Sequence, residues 1–193
     1  MKTSAQRQRF HLIGLNGLIV LIGLLSLVLA PGVTCAQQYT YSVGILGGIG
    51  GSFDATPGDS YSNPSYQLEL SMVTETRTLV GLRIGRIDLN KDQFFGSLHD
   101  AGLTFATIGG EYRFQESYYE SGLFLGLGAY RLNGTNAQGR SDDQTSVGIN
   151  AGVTGEIPIN RRVGILLELS GHYVNLREAK IYGIAHGGFT FHF

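Results

Sequence analysis

An alternation of apolar and polar residues with a period of two most constrains the fold. It is strictest where Tyr66, Leu68, Leu70 and Met72 alternate with Ser, Gln and Glu residues. This period places the apolar side chains on one face of an extended segment, as in a β-strand with one buried face. Eight segments of about ten residues follow the pattern. They are 39–53, 65–72, 78–88, 103–114, 119–132, 146–154, 163–174 and 181–193.

Composition supports strands and excludes several classes of protein. The chain is 42% hydrophobic and 15% charged, which excludes a disordered chain. Its 29 Gly residues argue against a helix bundle, because each Gly inside a helix costs roughly 1 kcal/mol. A net charge of −1 and the absence of any Lys or Arg run indicate no nucleic-acid partner.

The first 36 residues have the pattern of a secretory signal peptide. Basic residues precede an apolar run over 12–30, and small residues surround Cys35. Thr34 and Ala36 fit the positions that precede a cleavage site, so we expect cleavage after Ala36 and a single domain over 37–193. The alternative is an uncleaved anchor helix, since the run approaches the length of a membrane span. Pro31 and Gly32 favour cleavage.

The connections between segments alternate in length. Residues 54–64, 89–101 and 133–144 are long and polar, the turns near 75–76, 115–116 and 158–162 are short, and 175–180 is intermediate. All long connections then lie at one end of the sheet. This arrangement predicts an all-β fold, an eight-stranded antiparallel up-and-down barrel with both chain ends at the short-turn end.

The apolar face of the predicted barrel is expected to point outward. The other face consists mostly of Gly, Ser and Thr with few charges, which fits a narrow interior and not a surface in water. Ile87, Leu89, Leu103 and Phe105 interrupt this pattern. An apolar exterior is typical of a transmembrane barrel, in which aromatic residues mark both membrane interfaces. The outward aromatic residues are Tyr39, Tyr41, Tyr112, Phe114, Tyr119, Phe189, Phe191 and Phe193 near the short turns, and Phe53, Tyr66 and Tyr173 near the long connections.

These features together resemble a known family. The chain from residue 37 resembles the small eight-stranded outer-membrane barrels of the OmpA and OmpX type, and its last strand carries Phe189, Phe191 and a terminal Phe193. The alternate aromatics are similar to the C-terminal signal that the outer-membrane insertion machinery reads in that superfamily. The resemblance implies a bacterial outer-membrane location, periplasmic termini and loops outside the cell.

The inward face contains a set of charged residues. We expect Glu69 opposite Arg83 and Arg113 opposite Glu120, as each pair is equidistant from its turn. Eight strands leave room for side chains only, so a buried network is favoured over a narrow solute or ion path, the alternative that the acidic surplus leaves open. The predicted network is Glu69, Arg83, Glu111, Arg113, Glu120, Glu156, Glu168, His172 and His186.

An enzymatic alternative rests on Glu168, Ser170 and His172, which share one face of the seventh segment. Acid, hydroxyl and imidazole are the groups that acyl transfer needs. Same-face neighbours lie about 6.6 Å apart along a strand, which exceeds a hydrogen bond. Tyr173 and Val174 follow His172, so the His, Ser and Asn motif of the lipid A deacylases is absent. A lipid A-modifying hydrolase is therefore the less favoured hypothesis, and no catalytic residue is assigned.

The remaining motifs concern ligands and partners. The five His residues are dispersed, so we expect no metal site and no cofactor. Arg86 and Arg131 have outward parity near the long connections, where they could contact lipopolysaccharide phosphates or extend to the interface without a specific partner. Phe94 and Phe95 lie in a polar connection, as a surface contact point or packed over the barrel mouth. The sequence thus predicts a non-enzymatic barrel whose surface loops serve envelope structure or interaction.

Overall fold

The computed structural model describes residues 41–54, 62–95, 97–115 and 118–193, without the side chains of residues 90–94 and 115. The predicted leader, residues 1–36, and Tyr39 lie outside the described residues. The described part of the chain contains no helix with the length and hydropathy of a membrane span.

Eight strands form the predicted antiparallel up-and-down barrel, which is confirmed. Each strand pairs with its neighbours along the chain, and β8 pairs with β1 to close the sheet. Closure leaves no open sheet edge. The strands are β1 (Tyr41–Ser52), β2 (Asn63–Glu75), β3 (Thr78–Phe95), β4 (Leu98–Gln115), β5 (Glu120–Asn136), β6 (Ser141–Pro158), β7 (Val163–Val174) and β8 (Ile181–His192).

The strands are tilted, as their register demonstrates. Pairing partners followed once around the barrel lead from Ser42 to Ser52, ten residues further along β1. A stagger of this size tilts the strands strongly and fixes a narrow barrel whose interior is filled by side chains.

The two ends of the barrel differ. We call the end with Tyr41, Phe193 and the connections after β2, β4 and β6 the turn end, and the opposite end the loop end. Phe193 pairs with Tyr41 through two backbone hydrogen bonds at the turn end, of 3.0 and 3.4 Å. Both described chain ends therefore lie at the turn end, as the alternation of connection lengths predicts.

Two of the predicted long connections are wrong. Most of 89–101 and 133–144 is strand, because β3 continues to Phe95, β4 begins at Leu98, β5 continues to Asn136 and β6 begins at Ser141. In the β3–β4 extension the buried side chains of Leu89, Phe95, Leu98 and Ala101 are apolar, which gives these paired strands a reason to extend. A bulge between His99 and Gly102 interrupts the extension, and Asp100 takes a left-handed φ of 49° beside it.

The exterior between the two ends is apolar. Leu125, Leu127 and Ile149 are each more than half exposed, and the described aromatics predicted to point outward lie on this surface. Tyr41, Tyr112, Phe189, Phe191 and Phe193 are exposed near the turn end, with Phe114 and Tyr119 half-buried there, and Phe53, Tyr66 and Tyr173 are exposed towards the loop end. The exterior thus has a band of aliphatic residues between two girdles of aromatic residues.

The interior has two parts. The half nearer the turn end is mostly polar, whereas the half nearer the loop end is filled by an apolar cluster. This corrects the expectation of a polar inward face throughout, because Ile87, Leu89, Leu103 and Phe105 keep inward parity and belong to the cluster. We call it the loop-end cluster; its members are Ile87, Leu89, Phe95, Leu98, Ala101, Leu103, Phe105, Tyr130, Leu132, Val174, Leu176, Ala179, Tyr182 and Ile184.

Adjacent glycines in β1 provide a test of the packing. A Cβ at Gly48 would lie 2.0 Å from the Ala185 carbonyl oxygen, whereas a Cβ at Gly47 meets nothing within 4 Å. We expect Gly48→Ala to lower the free energy of unfolding by about 1–3 kcal/mol through overpacking. Gly47→Ala should be neutral or slightly stabilising, since Ala restricts the unfolded chain. Urea unfolding followed by gel migration would measure both; equal midpoints would contradict this packing.

Candidate functional site

Arg83 lies at the centre of the polar half of the lumen. Its guanidinium contacts three carboxylates, with Nη2 at 3.2 Å from Glu69 and 2.7 Å from Glu111, and Nε at 3.1 Å from Glu168. The guanidinium also lies 3.9 Å from the centre of the Phe124 ring. The predicted register of Glu69 opposite Arg83 is confirmed. Arg83 therefore joins β2, β3, β4 and β7 across the lumen.

Arg113 forms a second centre nearer the turn end. It lies 3.1 Å from Glu111, 3.1 Å from Glu120 and 3.2 Å from Glu156. The predicted opposition of Arg113 and Glu120 is wrong, because Arg113 pairs in register with Gly122 and Glu120 with Gln115. The turn between β4 and β5 is centred one residue later than expected. The ion pair still forms, because both side chains are long enough to meet diagonally.

Glu111 connects the two centres, since one of its oxygens contacts Arg83 and the other contacts Arg113. Thr154 donates a hydrogen bond of 2.9 Å to the second oxygen. At the turn end, His192 forms a hydrogen bond with Glu156. Five carboxylates thus share two guanidinium groups, which leaves an acidic surplus in a buried space.

Ser170 and His172 come together in the structure, contrary to the spacing argument. Ser170 Oγ lies 3.1 Å from His172 Nε2, and His172 Nδ1 lies 2.9 Å from the Tyr130 hydroxyl. The strand spacing overestimates the separation because the two side chains lean towards each other. Glu168 takes no part in these hydrogen bonds and contacts Arg83 and Gln67 instead. Ser170 and His172 are buried in the lumen at the edge of the loop-end cluster.

A short segment closes the loop end. Residues 175–180, which we call the strap, connect β7 to β8, and Leu176 and Ala179 of the strap are buried in the loop-end cluster. Glu178 accepts hydrogen bonds from the backbone and side chain of Ser97 at the tip of the β3–β4 hairpin. Asp54, at the end of β1, accepts hydrogen bonds from the Lys180 and Ile181 amides.

The strap also contacts the β5–β6 hairpin. Arg177 donates its backbone N–H to Gln144 and lies 3.0 Å from Asp142 through its guanidinium. Hydrogen bonds to β1 and to both hairpins therefore hold the strap over the loop-end cluster. Phe95 is 1% exposed inside this cluster, so the structure selects packing over the barrel mouth for this residue. The Phe94 side chain lies outside the described part.

Arg86 and Arg131 lie on the outer surface towards the loop end. Both side chains are exposed, with Arg86 2.6 Å from Asp88 and Arg131 paired with Asp143. Each arginine thus has an acidic neighbour on the surface. Exposed ion pairs of this kind contribute little to stability, so both guanidinium groups are available for exchange with other anions.

All nine predicted network residues have inward side chains, with Glu120 and Arg113 partly accessible at the turn end. Sequence reasoning missed His192, Gln67 and the strap. His192 has the same parity as His186 and Thr190, so the alternation of β8 could have found it.

Within the described ranges, no group of three His, Cys, Asp or Glu residues is arranged to hold a metal ion.

Comparisons with known proteins identify the fold. No family model and no curated protein matches the sequence. Neisserial surface protein A (NspA) matches at a TM-score of 0.62 and 15% identity over 83% of this chain and all of that chain, 100%. A major outer membrane protein from Thermus thermophilus matches at 0.59 and 11% identity over 81% of this chain and 100% of its own. Ail, the attachment invasion locus protein of Yersinia pestis, matches at a TM-score of 0.53 and 13% identity over 80% of this chain and 97% of its own. The chain therefore has the fold of the small eight-stranded outer-membrane β-barrels of the OmpA and OmpX type.

Proposed function

We propose that this protein is a non-enzymatic barrel integral to a bacterial outer membrane, with a closed lumen and a loop end that serves envelope structure or surface interaction. The observation that carries the proposal is an apolar exterior combined with a filled interior. A surface of exposed Leu, Ile and Val between two girdles of aromatic residues is stable only against lipid. The fold of the structural neighbours supports the same location.

The filled lumen argues against the alternative of a solute pathway. Leu89, Leu98 and Leu132 are fully buried between the polar half and the strap. An ion crossing this layer would have to shed its hydration shell against aliphatic side chains. The same burial argues against the lipid hydrolase, because Ser170 and His172 point into the lumen and away from the lipid-facing exterior.

The loop end presents the residues that we expect to contact partners. Arg86 and Arg131 are placed to exchange their acidic neighbours for lipopolysaccharide phosphates. The exposed tip of the β5–β6 hairpin, residues 137–140, offers a contact surface for a partner outside the cell.

The alternate aromatics of β8 are proposed to be read by the outer-membrane insertion machinery. Both chain ends would then lie in the periplasm.

Surface labelling of intact cells tests the location and orientation. A short epitope tag is inserted after Gly139 at the loop end and, in a matched variant, after Arg161 at the turn end. We expect an antibody to label the first variant on intact cells and the second only after the outer membrane is permeabilised. Both variants should fractionate with outer membranes and require detergent for extraction.

Two further measurements test the proposal that the protein is neither a channel nor an enzyme. Planar bilayers with the purified protein should record no discrete conductance steps, and lipid A masses should be the same with and without the protein. Recovery in the soluble fraction would contradict the location, and labelling at Arg161 alone on intact cells would contradict the orientation. Loss of one acyl chain that disappears in Ser170→Ala would make the protein an enzyme.

A further inference from the structure

Three side-chain oxygens in the polar half of the lumen are buried without hydrogen-bond partners. Gln67 Oε1, Glu69 Oε2 and Glu168 Oε1 find none among the residues that the structure describes. Each residue is at most 4% exposed. A buried acceptor without a partner costs free energy comparable to that of a lost hydrogen bond, so three of them together call for an explanation.

The three residues that carry these oxygens belong to one side-chain cluster around Arg83. Gln67 and Glu69 are successive inward residues of β2, and Gln67 Nε2 donates a hydrogen bond of 3.0 Å to Glu168 Oε2 on β7. This hydrogen bond fixes the orientation of the Gln67 amide, so its oxygen must be the unpartnered atom. Arg83 contacts Glu69 and Glu168 through their other oxygens. The free oxygens are thus the ones that the guanidinium does not neutralise.

Charge balance indicates what these oxygens bind. The four buried carboxylates of Glu69, Glu111, Glu156 and Glu168 face two guanidinium groups, so two negative charges remain without a cation. Leaving charge uncompensated in a buried space is strongly unfavourable. The lumen therefore needs positive charge beyond that of its own arginines.

We propose that Gln67, Glu69 and Glu168 form an occluded site for a monovalent cation such as Na⁺. Two carboxylate oxygens and one amide oxygen are the ligand type that hard cations take. Each carboxylate already shares its other oxygen with Arg83, so the site has a weak field. This suits a singly charged ion better than Ca²⁺ or Mg²⁺.

The turn end provides the route for exchange. Towards this end lie the more accessible charged groups, with the Glu120 side chain 26% and the Arg113 side chain 11% exposed. The loop-end cluster closes the opposite side. We therefore expect the site to exchange ions only with the compartment at the turn end, which distinguishes it from a pathway.

Thermal unfolding of the full folded protein in detergent micelles tests this site. The midpoint is measured in NaCl, in KCl and in N-methyl-D-glucamine chloride at equal ionic strength. We expect a saturable rise of the midpoint with NaCl that the bulky organic cation does not produce, because only an ion that binds the folded state shifts the equilibrium. Saturable broadening of the ²³Na NMR signal provides a direct second measurement.

Matched variants locate the effect. Gln67→Met removes the amide oxygen and should weaken the apparent Na⁺ affinity by about tenfold or more. Gln144→Met makes the same change at a buried glutamine in the loop-end half and should leave the Na⁺ response unchanged. If Gln67→Met fails to fold, Glu69→Gln provides a second variant, which should also lose the response. Equal midpoints in all three salts, or a full Na⁺ response in the folded variants, would overturn the proposal. Stabilisation of the protein by acidic pH without any broadening of the ²³Na signal would overturn it as well.

Discussion

Replacing Arg83 with Met is expected to lower the free energy of unfolding by about 3–5 kcal/mol, the range for removing one partner of a buried charge network. The variant leaves Glu69, Glu111 and Glu168 buried without the cation that they share. Methionine keeps much of the side-chain volume, so the loss reports charge and hydrogen bonding more than a cavity. Urea unfolding in micelles, followed by the gel migration of unheated samples, would measure the change.

Two controls separate this effect from a general loss of positive charge. Arg131→Met removes an arginine whose side chain is 62% exposed, and we expect it to cost less than about 1 kcal/mol. Adding Glu168→Gln to Arg83→Met should recover part of the loss, because one fewer buried carboxylate is then left unpaired. Similar costs at Arg83 and Arg131 would contradict the role of Arg83 as the centre of the network.

Tyr182→Ala is expected to cost about 3–5 kcal/mol, as for large aromatic side chains in a packed core. Tyr182 is fully buried in the loop-end cluster, with its ring centre 6.4 Å from that of Phe95. Its hydroxyl donates a hydrogen bond of 3.3 Å to the carbonyl of Ala179 in the strap. Besides a lower unfolding midpoint, we expect faster proteolytic cleavage at the loop end, since the strap loses its support.

Tyr173→Ala provides the comparison. Tyr173 lies on β7 one residue from the register partner of Tyr182, but its side chain is 50% exposed on the outer surface. Its removal opens no cavity inside the barrel, so we expect a smaller loss of stability and no change in cleavage of the strap. An equal rate of loop-end cleavage in both variants would show that the cluster does not hold the strap.

The strands and their facing were predictable because both depend on local alternation. Side-chain parity follows from the chain itself, so Glu69, Glu168 and His186 could be assigned to the interior without knowing their neighbours. The short turn between β2 and β3 narrowed the possible partners of Glu69, and the bulge between Val73 and Glu75 brings Arg83 opposite it, as predicted. The longer turn between β4 and β5 has no unique centre in the sequence, and the predicted partner of Arg113 was wrong for that reason.

The composition of the lumen was harder to predict. Leu89, Leu98 and Leu132 keep inward parity. If the interior is assumed to be polar throughout, however, these apolar residues appear to break the alternation. The strap contributes only Leu176 and Ala179 to the loop-end cluster, too few for any periodicity. Hydrogen bonds between distant segments, such as those of Glu178 with Ser97, depend on tertiary contacts that no local pattern contains.

The wall of the barrel is higher on one side, since β3 has 18 residues and β1 has 12. Six additional residues extend the strand by roughly 20 Å along its own direction. This geometry restricts how such proteins can diverge. A hairpin lengthened by two residues in each strand keeps every inward side chain inward, whereas one added residue reverses the facing of all that follow on that strand. Length variation among related chains should therefore occur in even steps per strand, except where a bulge such as the one beside Asp100 absorbs the odd residue.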